Sequence, residues 1–365
     1  MLQKEGRQMD KRFDTIGIHE RPHLDEITAI WLLRNFGEEK FPGIKTATLK
    51  YWTKSPDVRK AEDYERDGVI LIGIGGGRFD EHTGLNGKRK EGECATTLVA
   101  KALGIENDPC LEKILSFVAN SDLKAVGQPF DLAYITKILH QQYHDTPEDV
   151  IAWVTTGIEA KYYEQDRFWN STKAEFEKTA KVEEIRGPGN KLFKMTSFVS
   201  DDEQMSKFAR SVHGGRAAII VQKCSKGNVQ IFTNKNLGLT LYDVAQLIRI
   251  EEQRAKGRIV TTNWKILGSE GRVAGAEEWY FHESGQMLLN GSLTSKDVPP
   301  TRLSFNEIKE IVQVGIDIDQ FQSGRFRACR QGFCSSNSSD LCPWFIYGLE
   351  RCRLIRREMA SNRKS

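Results

Sequence analysis

The chain of 365 residues holds no apolar run close to the roughly 20 residues that a helix needs to cross a bilayer, so a helical membrane span is excluded and no membrane partner is expected. Its opening, MLQKEGRQMDKRFD, is polar and has no signal-peptide core, so a cytoplasmic location is the expectation. Cysteine is sparse. Seven in a chain of this length, without a secretory signal, argue for reduced thiols or metal ligands rather than a disulfide framework. Net charge is small, +3 at pH 7, but unevenly placed. Residues 325–365 carry nine Lys/Arg against three Asp/Glu, a local +6, which leaves the remainder near −3. There is no internal repeat at a fixed period and no low-complexity tract beyond SSNSS at 335–339, which argues against a solenoid.

What is present fits a globular protein with more than one core. The apolar share is 39% and the charged share 28%, and the length exceeds what one core usually organises. FDTIGIH at 13–19 alternates as a short strand, and DEITAIWLLRNFG follows with helical spacing that stops at Gly37. A second strand is expected at 46–52, and VILIGIGGG at 69–77 reads as a buried strand entering a glycine-rich turn. ECATTLVAKALGI and CLEKILSFVANSDLKA then read as helices, which implies a parallel α/β sheet over roughly residues 10–130. From Thr146 a long run of helix formers reaches residue 186 and is closed by the turn signal GPGN. Strand candidates RAAIIVQK, NVQIFTN, EEWYFHES and MLLNGS follow. The expected layout is an α/β metal-binding domain at 1–145, a helical connector at 146–186, a smaller α+β substrate-binding domain at 187–318 and a Cys-rich basic tail at 319–365.

Chemistry-bearing residues crowd into the first domain. GIHERPHLDE places His19, His23 and Asp25 on one strand-to-helix turn, where open α/β sheets gather their ligands. GGGRFDEH delivers Asp80, Glu81 and His82 from a second such loop, after glycines that let backbone approach a phosphate. Asp122 ends a helix and offers a further carboxylate. Imidazoles mixed with carboxylates suit Mn²⁺, Zn²⁺ or Fe²⁺ better than Ca²⁺ or Mg²⁺ alone. Each motif taken singly is more often a tight turn or a chance spacing, and their coincidence at predicted loops is what favours a metal site.

These segments resemble the DHH phosphoesterase superfamily. HERPHLDE is similar to the family's first motif, with His19, Pro22 and Asp25 matching and His23 standing where aspartate is usual. GGGRFDEH resembles the eponymous Asp-His-His motif, with Glu81 in place of the middle histidine. The short distance from the glycines to that motif, together with His23, most resembles the divergent Myg (melanocyte proliferating gene) branch, which includes metal-dependent exonucleases. Asp122 matches the last aspartate, and FHESGQMLLNGS is similar to a His-x-Ser-Gly stretch of that branch. The likeness is specific over residues 13–125 and loose over 190–316.

The resemblance implies a DHH-like fold and hydrolysis of phosphodiesters, with RNA or DNA oligonucleotides or nucleotides as substrate. It implies that His19, His23, Asp25, Glu81 and Asp122 hold one or two ions, Mn²⁺ or Mg²⁺, with Asp80 as ligand or support and His82 as phosphate contact or proton donor. The second domain of such enzymes closes over substrate; His213, Gly214, Gly215 and Arg216 are the clamp candidates, with a plain turn as the alternative. His282 and Ser284 are further candidates beside the cleft, against a partly buried strand histidine. Two departures stand out: Gly73 occupies the place of an aspartate that bridges two metals, and Glu81 replaces histidine. They leave a one-metal site, a rewired site and a catalytically inactive nucleic-acid-binding or regulatory relative open, beside a metal hydrolase acting on a non-phosphate bond. A homodimer is a further open expectation.

In the tail, Cys329, Cys334, Cys342 and Cys352 are separated by four, seven and nine residues, a spacing whose first step meets the upper limit for structural zinc. Cys342 followed by Pro343 also fits an iron–sulfur ligand, and unligated thiols are the alternative. Arg325, Arg327, Arg330, Arg353, Arg356 and Arg357 flank Trp344, Phe345 and Tyr347, a pairing of cations and rings that suits single-stranded nucleic acid or, equally, a solvated basic tail.

Overall fold

A computed structural model describes residues 12–52, 59–83, 88–124, 127–291, 297–316, 327–329 and 331–362. The chain divides into two compact units, Met1–Trp169 and Asn170–Ser365.

In the first unit, β1 (Thr15–His19) runs at the centre of a parallel three-stranded sheet between β2 (Thr48–Trp52) and β3 (Val69–Leu71). The helices are α1 (Leu24–Phe36), α2 (Ala61–Arg66), α3 (Ala95–Leu103), α4 (Glu112–Lys124), α5 (Leu132–Gln142) and α6 (Pro147–Asp166), and a two-stranded ribbon pairs β4 (His82–Thr83) with β5 (Lys88–Arg89). A parallel strand covered by helices on its faces reads as continuous apolar sequence, which is why TIGIH carries Ile16 and Ile18 fully buried. Helix α1 is buried on most of its circumference: Ile27, Trp31, Leu32 and Leu33 pack in the core, and Asp25, Glu26 and Thr28 are buried with them. Buried carboxylates on a core helix need partners, and this helix begins where β1 ends.

The division falls at Trp169, not at a free-standing connector over 146–186. Val150, Ile151, Val154 and Ile158 of α6 belong to the first unit's core. Beyond a π-helical segment Arg167–Thr172 and α7 (Lys173–Thr179), KVEEIRG is not helix but β6 (Lys181–Gly187). Its charged residues are good helix formers, yet as a mostly exposed edge strand they face solvent and blunt the sheet edge.

The second unit is built on a seven-stranded mixed sheet of order β10-β11-β12-β9-β8-β7-β6, completed by β7 (Lys191–Val199), β8 (Ile219–Lys223), β9 (Val229–Thr233), β10 (Gly271–Val273), β11 (Ala276–Phe281) and β12 (Met287–Asn290). β7 and β8 are parallel and the other neighbours antiparallel. This unit, which takes in the tail segment as well as residues 187–318, holds the larger of the two sheets. Its helices are α8 (Gln204–Arg210), α9 (Tyr242–Ala255), α10 (Trp264–Leu267), α11 (Phe305–Ile316), α12 (Pro343–Ile346) and α13 (Glu350–Asn362). α9 is absent from the expected layout; it is buried along most of its length and carries Arg249, Glu252 and Gln253 fully buried.

The tail is not a separate module either. Trp344 and Leu349 are buried in the second unit's core, the Trp344 indole donates to the Val314 carbonyl at 3.1 Å, and Glu350 N–H donates to the Thr262 carbonyl at 3.0 Å. Apolar docking anchors this segment, so Trp344 is unavailable for stacking on bases, and Phe345 is covered by the Arg356 guanidinium at 4.5 Å. Arg325 and Arg330 lie outside the described residues.

Candidate metal centre

β1 and β3 are parallel neighbours, so the loops at their carboxyl ends leave the sheet side by side. The first loop carries His19 and His23, and the second runs from Ile72 through the glycines to Glu81. The His19 ring nitrogen Nε2 lies 3.1 Å from the Gly73 carbonyl and 3.8 Å from Glu26 Oε1, tying the two loops together. His23 caps α1, and its backbone N–H donates to Glu26 Oε2 at 2.5 Å, a capping-box bond. Burial, with His19 beside it, lowers the pKa of His23 against the opposing pull of Asp25; the neutral imidazole is the metal-binding form.

Asp25 sits in the first turn of α1 and reaches across to α3, where its carboxylate accepts from the backbone N–H groups of Ala95 and Thr96, both at 2.8 Å. The Thr96 hydroxyl returns a bond to the Asp25 carbonyl at 2.7 Å. A carboxylate at a helix N-terminus satisfies orphan donors and complements the macrodipole. Asp25 is therefore a structural clasp as well as a candidate ligand, each oxygen keeping further acceptor capacity.

On the second loop, Asp80 is buried and accepts from Gly76 N–H at 2.7 Å and His82 N–H at 2.9 Å, closing the turn. The His82 ring is half exposed, with Nδ1 3.2 Å from Asp80 and 3.6 Å from Glu81 Oε1. Glu81 is only 6% exposed, and its Oε2 has no hydrogen-bond partner. Arg89, on β5, binds Asp122 on α4 and reaches Glu81 Oε1 at 3.4 Å. One guanidinium thus links carboxylates from two parts of the unit.

The structure brings His19, His23, Asp25, Asp80, Glu81, His82 and Asp122 into the same neighbourhood of the first unit. Ligand atoms of Asp25, Cys94 and Asp122 lie within 4.8 Å of one another, and those of Asp80, Glu81 and His82 form a second such group. Burial and the charge of Asp25 push the Cys94 thiol up to about 12, so it stands among these carboxylates protonated.

Three participants escaped the sequence reading. Glu26 is buried, and its carboxyl is pushed up to about 8, first by burial and then, against the bond from His23, by the negative charges of Asp25, Glu81 and Asp80. It also occupies the space of the residue missing at position 73: a Cβ added to Gly73 would fall 2.9 Å from Glu26 Oε1 and 3.0 Å from its Cγ. The only signal in the sequence was the adjacency of two acids in LDE, which reads equally well as first-turn helix chemistry. Arg89 sits on a ribbon too short for any periodicity to show. His140, on α5, is buried and its Nε2 donates to the Pro22 carbonyl at 2.8 Å, pinning the loop that carries His19 and His23.

The clamp candidates belong to the second unit. Gly214 makes the turn from α8 toward β8, and a Cβ there would sit 2.0 Å from the Phe208 carbonyl oxygen, so this glycine is required by packing. Gly215 and Arg216 both have positive φ, and Arg216 N–H donates to the Ser211 carbonyl at 2.9 Å. His213 and Arg216 are exposed. His282 Nδ1 accepts from Ser284 N–H at 3.1 Å within the turn joining β11 to β12, which is the local role that a turn histidine takes.

No family model and no curated protein matches the chain. Among solved structures, an uncharacterized protein from Helicobacter pylori G27 is similar over 84% of this chain and 99% of its own, at 11% identity and a TM-score of 0.26, which is too loose to argue from.

Proposed function

We propose that the first unit is a DHH-like metal-dependent phosphoesterase, which binds Mn²⁺ or Mg²⁺ and hydrolyses phosphodiester bonds of oligonucleotides or nucleotides. The observation that carries this reading is the buried, unpartnered Oε2 of Glu81 beside Asp25, Glu26 and Asp80. A buried carboxylate oxygen without a donor is costly, and other buried carboxylates close to it add to the call for a cation. The donor set of carboxylates and imidazoles fits Mn²⁺. Asp25, Glu81, Asp122 and His23 would hold the ion, with Glu26 supplying the carboxylate that position 73 lacks. When bound, a divalent ion supplies Lewis acidity, acidifying water and offsetting negative charge on phosphoryl oxygens.

The chain's own residues do the rest. Asp80 fixes the His82 ring through Nδ1, so its other nitrogen is the one available to protonate a leaving oxygen or to contact phosphate. His140 pins the loop that carries His19 and His23, Asp25 ties α1 to α3, and His19 joins that loop to Gly73, the preorganisation on which such a site depends. Purified protein assayed with Mn²⁺ on a phosphodiester and on short oligonucleotides should turn over, and Glu81→Gln should remove the activity. Absence of turnover with any divalent ion, or turnover untouched by Glu81→Gln, would overturn the hydrolase reading.

A second reading rests on Arg89. Its guanidinium already neutralises Glu81 and Asp122 from within, as a counter-cation would in a relative that binds nucleic acid without cleaving it. A unit charge about 5 Å away at an effective dielectric of roughly 20 contributes about 3 kcal/mol before screening. Arg89→Gln should therefore tighten Mn²⁺ binding roughly tenfold, measured by calorimetric titration. If Arg89 merely braces α4, affinity will stay unchanged while thermal stability falls.

A further inference from the structure

The tail thiols do not make an ion site. Cys329, Cys334, Cys342 and Cys352 are all described, and no three of their sulfurs lie within the 4.8 Å that gathers Asp25, Cys94 and Asp122, which corrects the expectation of zinc or an iron–sulfur cluster there. The first unit holds a different candidate, an apolar cavity of about 410 Å³ between α1, α4, α5 and α6 that the proposed hydrolysis does not use.

The walls of this cavity are aliphatic: Leu24 from α1, Ile114 and Val118 from α4, Leu132 from α5 and Ile158 from α6. Phe117 also lines it and is 38% exposed, which places its ring on the solvent side. Gly157 completes the lining from the middle of α6, where glycine is a poor helix former. A Cβ at Gly157 would meet Leu132 at 3.4 Å, an ordinary contact, so packing does not demand glycine here. Its effect is to leave the space open.

The charged residues of the lining are both cations. Lys113 on α4 and Lys161 on α6 are exposed, so their stems border the apolar space while their ammonium heads stay in water. Lys161 is held by Glu164 at 2.5 Å. Lys113 lies over the Phe168 ring at 5.4 Å and has no carboxylate partner among the described residues. No acidic residue lines the cavity.

A space near the lower end of the size range of small-molecule sites, apolar inside and with a few polar groups of one sign at its edge, fits a molecule built the same way. A cationic head would be repelled by the two ammonium groups, and a neutral one would leave them unused. One ring and several branched aliphatic side chains suit an alkyl chain better than a flat aromatic body, which needs stacking partners. We propose that this cavity binds a free alkyl carboxylate of medium chain length, its chain between the four helices and its carboxylate against Lys113 and Lys161. None of the lining residues is a candidate metal ligand, so the site stands or falls apart from the hydrolase reading.

The test is calorimetric titration of the full-length protein with hexanoate, octanoate and decanoate, each below its micelle-forming concentration. Saturable binding at one site per chain is expected, with affinity rising roughly fourfold for each methylene added. That series uses the wild-type protein and does not depend on any variant folding. Gly157→Leu puts a good helix former into α6 and fills the space beside Leu132, so it should abolish binding with the circular dichroism spectrum unchanged. Lys113→Gln and Lys161→Gln should each weaken decanoate about two- to fivefold, the range of an exposed ion pair, and leave the affinity for decanol unchanged. No saturable binding of any of the carboxylates, affinity indifferent to chain length, binding intact in folded Gly157→Leu, or equal affinity for decyltrimethylammonium would overturn the proposal. Capture of the protein by phosphatidylglycerol vesicles without binding of free decanoate would also overturn it, assigning the surface to a membrane.

Discussion

Replacing Glu26 with alanine should lower Mn²⁺-dependent turnover more than about 100-fold, beyond the 10- to 100-fold range of residues that only support ligands. Glu26 is a helix N-terminal residue by position and donates nothing to its own helix that glutamine could not supply. Its Oε2 accepts one N–H from His23, and its Oε1 faces His19 across the space above Gly73. Position 73 therefore carries no side chain, and a carboxylate arrives there from the first turn of α1 instead. Glu26→Gln keeps the cap and the packing, so a matching loss of turnover in that variant assigns the effect to charge rather than to folding. The reciprocal change is informative. Gly73→Asp alone should not raise turnover: its Cβ would press on Glu26 at 2.9 Å, and its φ of +64° lies in the left-handed region, where a side chain costs about 1–2 kcal/mol. Combined with Glu26→Ala, the space is vacated, and Gly73→Asp should recover part of the lost turnover. A gain from Gly73→Asp in the presence of Glu26, or full activity in Glu26→Ala, would show that the two positions do not share one role.

The contrast between Glu26 and its neighbour Asp25 shows where the sequence was legible. Strand-then-loop-then-helix spacing located β1, α1, β3 and α3, because a parallel sheet under helices imposes long apolar runs and sharp glycine stops such as Gly37 and Gly104. The loops following those strands were then the natural places to seek ligands, and the acids and imidazoles found there do fold into one neighbourhood. What could not be read is any role set by approach in space. Asp25 capping a helix some seventy residues later, Glu26 filling the room above Gly73, and Arg89 crossing from a ribbon to α4 have no counterpart in spacing. In the second unit the failure was of a different kind. α9 does carry Val244, Leu247 and Ile248 at helical spacing, but Gln246, Arg249, Glu252 and Gln253 are buried beside them, and burial of those polar residues has no counterpart in hydrophobic periodicity. Likewise β6 was hidden by charges that an edge strand tolerates and a helix prefers.

The buried polar residues of that helix lead to the largest stability effect expected outside the candidate metal centre. Arg249 is fully buried, and its guanidinium donates to the carbonyls of Leu267 at 2.8 Å, Ser269 at 2.7 Å, Trp279 at 3.1 Å and Gly271. These acceptors lie on α10, on the loop after it and on two strands, so one side chain gathers backbone that no regular ladder serves. Burial alone lowers its pKa to about 10, which still leaves it charged at neutral pH. One turn on, Glu252 plays the acceptor's part, taking the Trp279 indole N–H and the Arg302 backbone N–H, both at 3.0 Å. Arg249→Met preserves length and apolar packing but leaves those carbonyls without donors, at about 1–3 kcal/mol for each that water cannot reach. Partial rescue by water brings the expected loss to about 3–5 kcal/mol, in line with the removal of one partner from other buried charged networks. At roughly 2–4 °C per kcal/mol for a unit of this size, the melting temperature should fall by about 6–20 °C. Arg249→Lys should restore little, since an ammonium cannot span the fork that a planar guanidinium offers to four acceptors. A loss under about 1 kcal/mol in Arg249→Met would mean that these carbonyls find other donors and that α9 is held by its apolar residues alone.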